Sequence, residues 1–121
     1  MPDIVITEFI DLEPVARLKA HYDVHLDEEL WQKPDQLKDL ARDAKALIVR
    51  NRTQVTEDVL DAGPGLKAIG RLGVGLDNID VAACEKRGIA LLPAFGVNAR
   101  SVAEYVLATA LMLLRGSAYF G

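Results

Sequence analysis

Short apolar runs alternate with helix-like segments along this chain, and the alternation predicts its architecture. Five runs have the length of strands, namely residues 3–7, 22–26, 46–49, 66–72 and 88–92. Most are nearly continuous in apolar side chains, which is typical of strands buried on both faces. Residues 22–26 instead alternate, with Val24 and Leu26 on one side and His25 on the other, as an edge strand does.

Four segments between these runs carry helix signals, at residues 11–21, 34–44, 56–62 and 81–87. Ala16 and Leu18 are among the apolar positions of the first segment, and Asp80 and Gly88 provide a start and a stop for the fourth. Residues 30 and 31 are interpreted as a loop or irregular turn. Five strands alternating with four helices predict a doubly wound α/β fold, a flavodoxin-like parallel sheet of order 2-1-3-4-5.

A long C-terminal helix is predicted over residues 101–115, opened by the capping-box spacing of Ser101 and Glu104. It carries two apolar lines, whereas a helix on a sheet needs one. The second line includes Leu107, Leu111 and Leu114. We therefore expect a homodimer formed through this helix, or an exchange of the helix between two chains through residues 94–98.

Composition limits the function classes. The chain has 121 residues, half of them apolar, and a net charge of −4 without a block of like charges. These values indicate a soluble protein and argue against nucleic acid or an anionic membrane as a partner. The single cysteine, Cys84, favours a reducing, cytoplasmic setting and a core position for that residue. No signal peptide is apparent, and the longest apolar stretch, residues 106–114, is too short to cross a bilayer.

Gly73 and Gly75 follow the fourth predicted strand and bracket a single Val74. Two glycines so spaced allow a sharp turn whose main-chain N–H groups favour an anion. They do not form the dinucleotide-binding fingerprint, because Asn78 occupies the place of its third glycine. A turn that only joins strand to helix remains an alternative interpretation.

In an open parallel sheet, ligands bind beyond the carboxyl ends of the strands. Those ends hold Glu8, Arg50, Asn51, the glycine turn and Asn98. A guanidinium, two amides and a turn of main-chain donors suit a small carboxylate rather than acid–base chemistry. Taken alone, each side chain could instead be a surface or turn residue. A phosphoacceptor receiver domain is disfavoured, because Glu8, Arg50 and Pro93 stand where its acids, aspartate and lysine would be.

Three motifs resemble the NAD-dependent D-2-hydroxyacid dehydrogenase family, in particular its phosphoglycerate dehydrogenase-like members. They are Gly-Arg-Leu-Gly-Val-Gly-Leu-Asp-Asn-Ile-Asp at residues 70–80, Lys-Arg-Gly-Ile at 86–89 and Asn-Ala-Arg-Ser-Val-Ala-Glu at 98–104. The resemblance implies a substrate-binding domain at residues 1–98, joined by a hinge to residues 99–121, which would lead into a Rossmann domain that binds NAD. The substrate implied is a small 2-hydroxy or 2-keto carboxylate.

The resemblance also implies roles for individual residues. Val74 and Gly75 would offer main-chain N–H groups to the substrate carboxylate, Arg50 and Asn51 would line the same pocket, and Asn98 would lie at the hinge. Asn51 departs from the serine that the family pattern leads us to expect. No catalytic, cofactor-binding or metal-binding residue is assigned to this chain, since the family's catalytic arginine, glutamate and histidine and its nucleotide loop would lie beyond residue 121.

Two functions follow as hypotheses. The first is the substrate-binding half of a hydride-transferring oxidoreductase, inactive as an isolated chain, with NAD as the cofactor of the parent. The alternative is a self-sufficient flavodoxin-like module that binds a small carboxylate or a protein without catalysis. His21 and His25 are interpreted as structural in either case.

Overall fold

The computed structural model describes residues 2–10, 12–20, 22–72 and 75–94 and contains five strands. The strands are β1 (Ile4–Ile6), β2 (Val24–Leu26), β3 (Ala46–Val49), β4 (Ala68–Leu72) and β5 (Ala90–Ala94). The helices are α1 (Leu12–Lys19), α2 (Pro34–Ala41), α3 (Glu57–Ala62) and α4 (Val81–Lys86). A single 3₁₀ turn, Leu30–Gln32, occupies the segment predicted as irregular.

All strand pairs are parallel, and the sheet order is β2-β1-β3-β4-β5. The predicted fold class and strand order are therefore confirmed, including the edge position of β2. Central strands β1, β3 and β4 are buried along their whole length, as expected where helices cover both faces of a parallel sheet. Since all strands run in the same direction, their carboxyl ends lie at one edge of the sheet.

The core forms two layers, one on each face of the sheet. One layer packs against α2, α3 and α4 and includes Val5, Leu47 and Ile69. The other layer packs against α1 and includes Ile4, Leu18 and Ile48. Alternation along each strand divides neighbouring residues between the layers. This division places three helices on one face and one described helix on the other.

The predicted pattern of α1 is partly wrong, because Ala16 is exposed while Val15 and Leu18 are buried. Position 15 precedes 18 by three residues, so these two share a face of the helix. Helix α2 ends at Ala41, three residues earlier than predicted. His21 lies outside the described residues.

The fourth helix has the predicted flanking residues but ends at Lys86, one residue earlier than predicted. The Asp80 carboxylate accepts a hydrogen bond from the Ala83 main-chain N–H at 3.0 Å, and Gly88 follows the helix with φ +68°. Because Gly88 still belongs to the helix exit, β5 begins at Ala90 rather than at residue 88. Cys84 is buried, and burial raises the pKa of its thiol, so it is a neutral core residue.

Several predictions fall on residues outside the described ones. These are the helix over residues 101–115 with its dimer contact, the hinge at Asn98, and Val74. Among the residues that the structure does describe, no helix has the length and apolarity that a bilayer crossing requires.

Candidate functional site

The carboxyl ends of β1 and β3 meet at a buried carboxylate. Glu8, only 4% exposed, lies two residues after the end of β1 and accepts hydrogen bonds from the main-chain N–H groups of Arg50 (2.8 Å), Arg52 (3.0 Å) and Thr53 (2.9 Å). The Thr53 hydroxyl donates a fourth bond at 2.6 Å. One side chain thus fixes the loop of residues 50–53.

These donors change the acidity of Glu8. Burial alone raises the pKa of a carboxyl, and here the bonds from Thr53, Arg50 and Arg52 outweigh it. The pKa of Glu8 therefore lies below its ordinary value of 4.5. The Thr7 hydroxyl, 2.6 Å from that of Thr53, extends the network into β1.

We expect Glu8 to make the stability of the chain depend on pH. A carboxyl whose pKa is lower in the folded than in the unfolded state stabilises the fold above its unfolded pKa, and the contribution disappears as pH falls through the folded value. The advantage of the wild type over a Glu8→Gln variant in free energy of unfolding should be about 1–3 kcal/mol at pH 7. It should shrink below about pH 4.5. Urea unfolding of both chains at pH 7 and pH 3.5 measures this, and a difference that does not depend on pH would contradict it.

Asn78 ties the same loop to the segment after β4. Its Nδ2 donates to the main-chain carbonyls of Arg50 (2.7 Å) and Thr53 (2.8 Å). A parallel bridge between Val55 and Ile79 continues the connection. Residues 50–55 and 75–80 therefore form one hydrogen-bonded unit at the carboxyl edge of the sheet.

A groove of about 440 Å³ opens beside this unit. We call it the arginine groove; the described residues that line it are Glu8, Phe9, Glu28, Glu29, Trp31, Arg50, Asn51 and Arg52. The Arg50 guanidinium lies 5.9 Å from the centre of the Phe9 ring, and that of Arg52 lies 5.0 Å from the Trp31 ring. Such contacts orient a guanidinium without neutralising its charge.

A second cavity, of about 230 Å³, shares Asn51 with the arginine groove. We call it the glycine-turn pocket; it is lined by Asn51, Gln54, Arg71, Gly75, Asp77 and Asn78. Arg71 is only 7% exposed. Its Nη1 donates to the Leu72 carbonyl at 2.9 Å, and its Nε has no hydrogen-bond partner among the described residues. Buried polar groups normally have partners, so this guanidinium is suited to receive an anion.

The structure separates the predicted site residues into these two neighbouring cavities. Arg50 lines the arginine groove, Gly75 lines the glycine-turn pocket, and Asn51 lines both. Gly75 has φ +84°, a conformation that favours glycine. Val74 and Asn98 lie outside the described residues, so their predicted roles stay predictions.

Sequence reasoning missed the roles of Arg52, Arg71 and Asn78. A charged residue inside a run otherwise typical of a buried strand was the available signal for Arg71. The Nε2 of His25, on β2, has no hydrogen-bond partner within the described part of the chain. In the part of the chain that the structure describes, no group of His, Cys, Asp and Glu side chains is arranged to hold a metal ion.

Comparison with known proteins identifies the family. Residues 4–118 match the family described as D-isomer specific 2-hydroxyacid dehydrogenase, catalytic domain. The chain belongs to this family. A similar protein is a (S)-sulfolactate dehydrogenase of Chromohalobacter salexigens, 50% identical to this chain over 117 residues, which cover 97% of this chain and 38% of the relative. A hydroxypyruvate reductase of Thermotoga maritima is 39% identical over 82% of this chain and 37% of the relative.

Solved structures agree with this assignment. The NAD⁺-bound 3-phosphoglycerate dehydrogenase of Entamoeba histolytica superposes with a TM-score of 0.66 at 28% identity, over 77% of this chain and 32% of that one. The chain spans well under half the length of the curated relatives described above. This chain therefore has the same fold as the matching part of the Entamoeba histolytica enzyme.

Proposed function

We propose that this chain is the substrate-binding domain of an NAD-dependent D-2-hydroxyacid dehydrogenase whose substrate carries a second anionic group besides its carboxylate. Residues 1–98 bind the substrate, and residues 99–121 lead toward the cofactor domain, with a dimer contact along their helix. The observation that carries the proposal is a set of three guanidinium groups, those of Arg50, Arg52 and Arg71, at one edge of the sheet. Within the described residues, none of them forms an ion pair with a carboxylate.

The number of guanidinium groups supports two anionic groups on one ligand. A single carboxylate is satisfied by one bidentate guanidinium and a few main-chain donors. Arg71 with the glycine turn meets that need, which leaves Arg50 and Arg52 for another anion. Two relatives have names that fit such a ligand, since sulfolactate carries a sulfonate and 3-phosphoglycerate carries a phosphate. Hydroxypyruvate, which the name of the third relative contains, has no second anionic group.

The residues present do not fit NAD. A dinucleotide site needs a third glycine at the position of Asn78, and the amide of Asn78 is already bonded to two main-chain carbonyls. No step of hydride transfer is therefore assigned to side chains of this chain. These side chains bind and orient the substrate. Such positioning contributes to catalysis by holding the reacting groups in the required geometry.

Trp31, the single tryptophan of the chain, provides a test. Because its ring lies against the Arg52 guanidinium, an anion that draws on Arg52 should change the tryptophan emission. We expect sulfolactate to produce a saturable change, and lactate, which lacks the second anion, to bind at least about tenfold more weakly, a difference of ~1.4 kcal/mol. Fluorescence titrations of this chain with both compounds measure the selectivity.

Two variants provide the control for this titration. Arg52→Met should lower the affinity for sulfolactate to that for lactate. Arg42→Met removes the same charge from an exposed residue paired with Asp39 on the surface, and should leave both affinities unchanged. Equal affinity of the wild type for sulfolactate and lactate would contradict the proposal of a second anionic group.

A further inference from the structure

We propose that Glu8 is the positioning residue of the arginine groove: its buried carboxylate fixes the main chain of residues 50–53 so that Arg50 and Arg52 present their guanidinium groups to an anionic ligand. The inference rests on the proposed function, because it concerns the same groove. In this proposal, a carboxylate shapes the binding site for another anion.

The geometry of the loop supports this role. Glu8 collects the N–H groups of Arg50 and Arg52, the same residues whose side chains enter the groove. A residue's Cα–Cβ direction is set by its own main chain, so anchoring these two N–H groups also orients both side-chain stems. The guanidinium ends then meet the rings of Phe9 and Trp31. The arginines are thus held at both ends before a ligand arrives.

Loss of this anchor should alter the loop without unfolding the chain. Asn78 holds the carbonyl groups of Arg50 and Thr53 independently of Glu8, and β3 precedes the loop within the core of the sheet. A glutamine at position 8 keeps the shape of the side chain. It replaces one acceptor oxygen by an NH₂ donor that faces N–H groups. The loop should therefore stay attached while its orientation loosens.

The sign of the effect separates positioning from simple electrostatics. Glu8 lines the same groove as the arginines, so its negative charge by itself repels an anionic ligand. By Coulomb's law alone, neutralising Glu8 should strengthen anion binding. If positioning dominates, the same change must weaken it. Glu28 is a matched control, since it also lines the groove but is exposed.

The experiment is a calorimetric titration of this chain with sulfolactate. We expect Glu8→Gln to weaken binding about tenfold, because the loop loses a charged hydrogen-bond acceptor, while Glu28→Gln binds equally or more tightly. Thr53→Val, which removes the hydroxyl bonded to Glu8, should weaken binding in the same way, and Thr53→Ser should restore it. Unchanged or tighter binding by Glu8→Gln would overturn the proposal.

Hydrogen exchange provides a readout that needs no ligand. In the free chain, the amides of Arg50, Arg52 and Thr53 should exchange faster in Glu8→Gln than in wild type, while amides of β4 keep their protection. Equal protection of the three loop amides would refute the positioning role even if the wild type binds no sulfolactate. Absence of sulfolactate binding by the wild type, with faster loop exchange in the variant, would instead count against the proposed substrate class alone.

Discussion

Replacing Arg71 by methionine is expected to stabilise the chain and, at the same time, to remove much of its anion binding. The guanidinium is buried, its Nε is unpartnered and, among the described residues, no carboxylate pairs with it. An unsatisfied buried polar group costs ~1–3 kcal/mol, and more when charged. Methionine fills a similar volume without that cost. The free energy of unfolding should therefore rise by about 1–3 kcal/mol.

The same substitution should weaken binding of sulfolactate about tenfold or more, because Arg71 supplies the one guanidinium among the described residues that line the glycine-turn pocket. Thermal unfolding and calorimetric titration of one preparation measure both effects. Arg50→Met is the control, since Arg50 is half-buried and carries the same charge. It should weaken binding without stabilising the fold. A destabilised Arg71→Met variant would show that the guanidinium is structural, and an unchanged affinity would show that it does not bind the anion.

The opposite signs of these effects illustrate a general trade-off. Sites that bind charged ligands retain buried charge at the expense of stability. Arg71 fits that pattern, because it is buried and has no carboxylate partner among the described residues. An anionic ligand would therefore both occupy the site and stabilise the fold through binding.

The fold was predictable because its signals are local and repeated. Short apolar runs separated by helical segments leave few arrangements, and the handedness of parallel connections reduces them further. The start of β5 was predicted two residues too early. Gly88, with its positive φ, still belongs to the turn that ends α4, so the strand begins only at Ala90. Pro93 did not end the strand, because β5 is at the sheet edge, where a missing N–H is tolerated.

The site was less predictable because its important contacts join distant residues through the main chain. Arg50 and Asn51 could be found from the rule that ligands bind at carboxyl ends of parallel strands. The partners of Glu8 are N–H groups 42, 44 and 45 residues away, and every non-proline residue carries such a group. No spacing in the sequence identifies them. Trp31 was missed because a short 3₁₀ turn has no hydrophobic period to reveal it.

Gly75→Val is expected to abolish most anion binding at the glycine-turn pocket, beyond any effect on stability. Gly75 has φ +84°, which a β-branched residue adopts only with strain of about 1–3 kcal/mol. An added Cβ would meet no atom within 4 Å. The side chain would therefore enter open space, and in this pocket the open space is the volume that the ligand must occupy. Affinity for sulfolactate should fall by about tenfold or more as the approach to the main chain closes.

Gly88→Val is a matched control, because it separates backbone strain from obstruction of the pocket. Gly88 has φ +68°, and an added Cβ there also meets nothing within 4 Å, but it follows α4 and lines neither cavity of the site. Both valine variants should lose similar stability in urea unfolding, while only Gly75→Val should lose affinity in calorimetric titration with sulfolactate. If the two variants lost affinity equally, strain transmitted through the fold would account for the loss. If neither did, the anion would have to bind away from the glycine turn, with Arg50 and Arg52 as its remaining cationic partners.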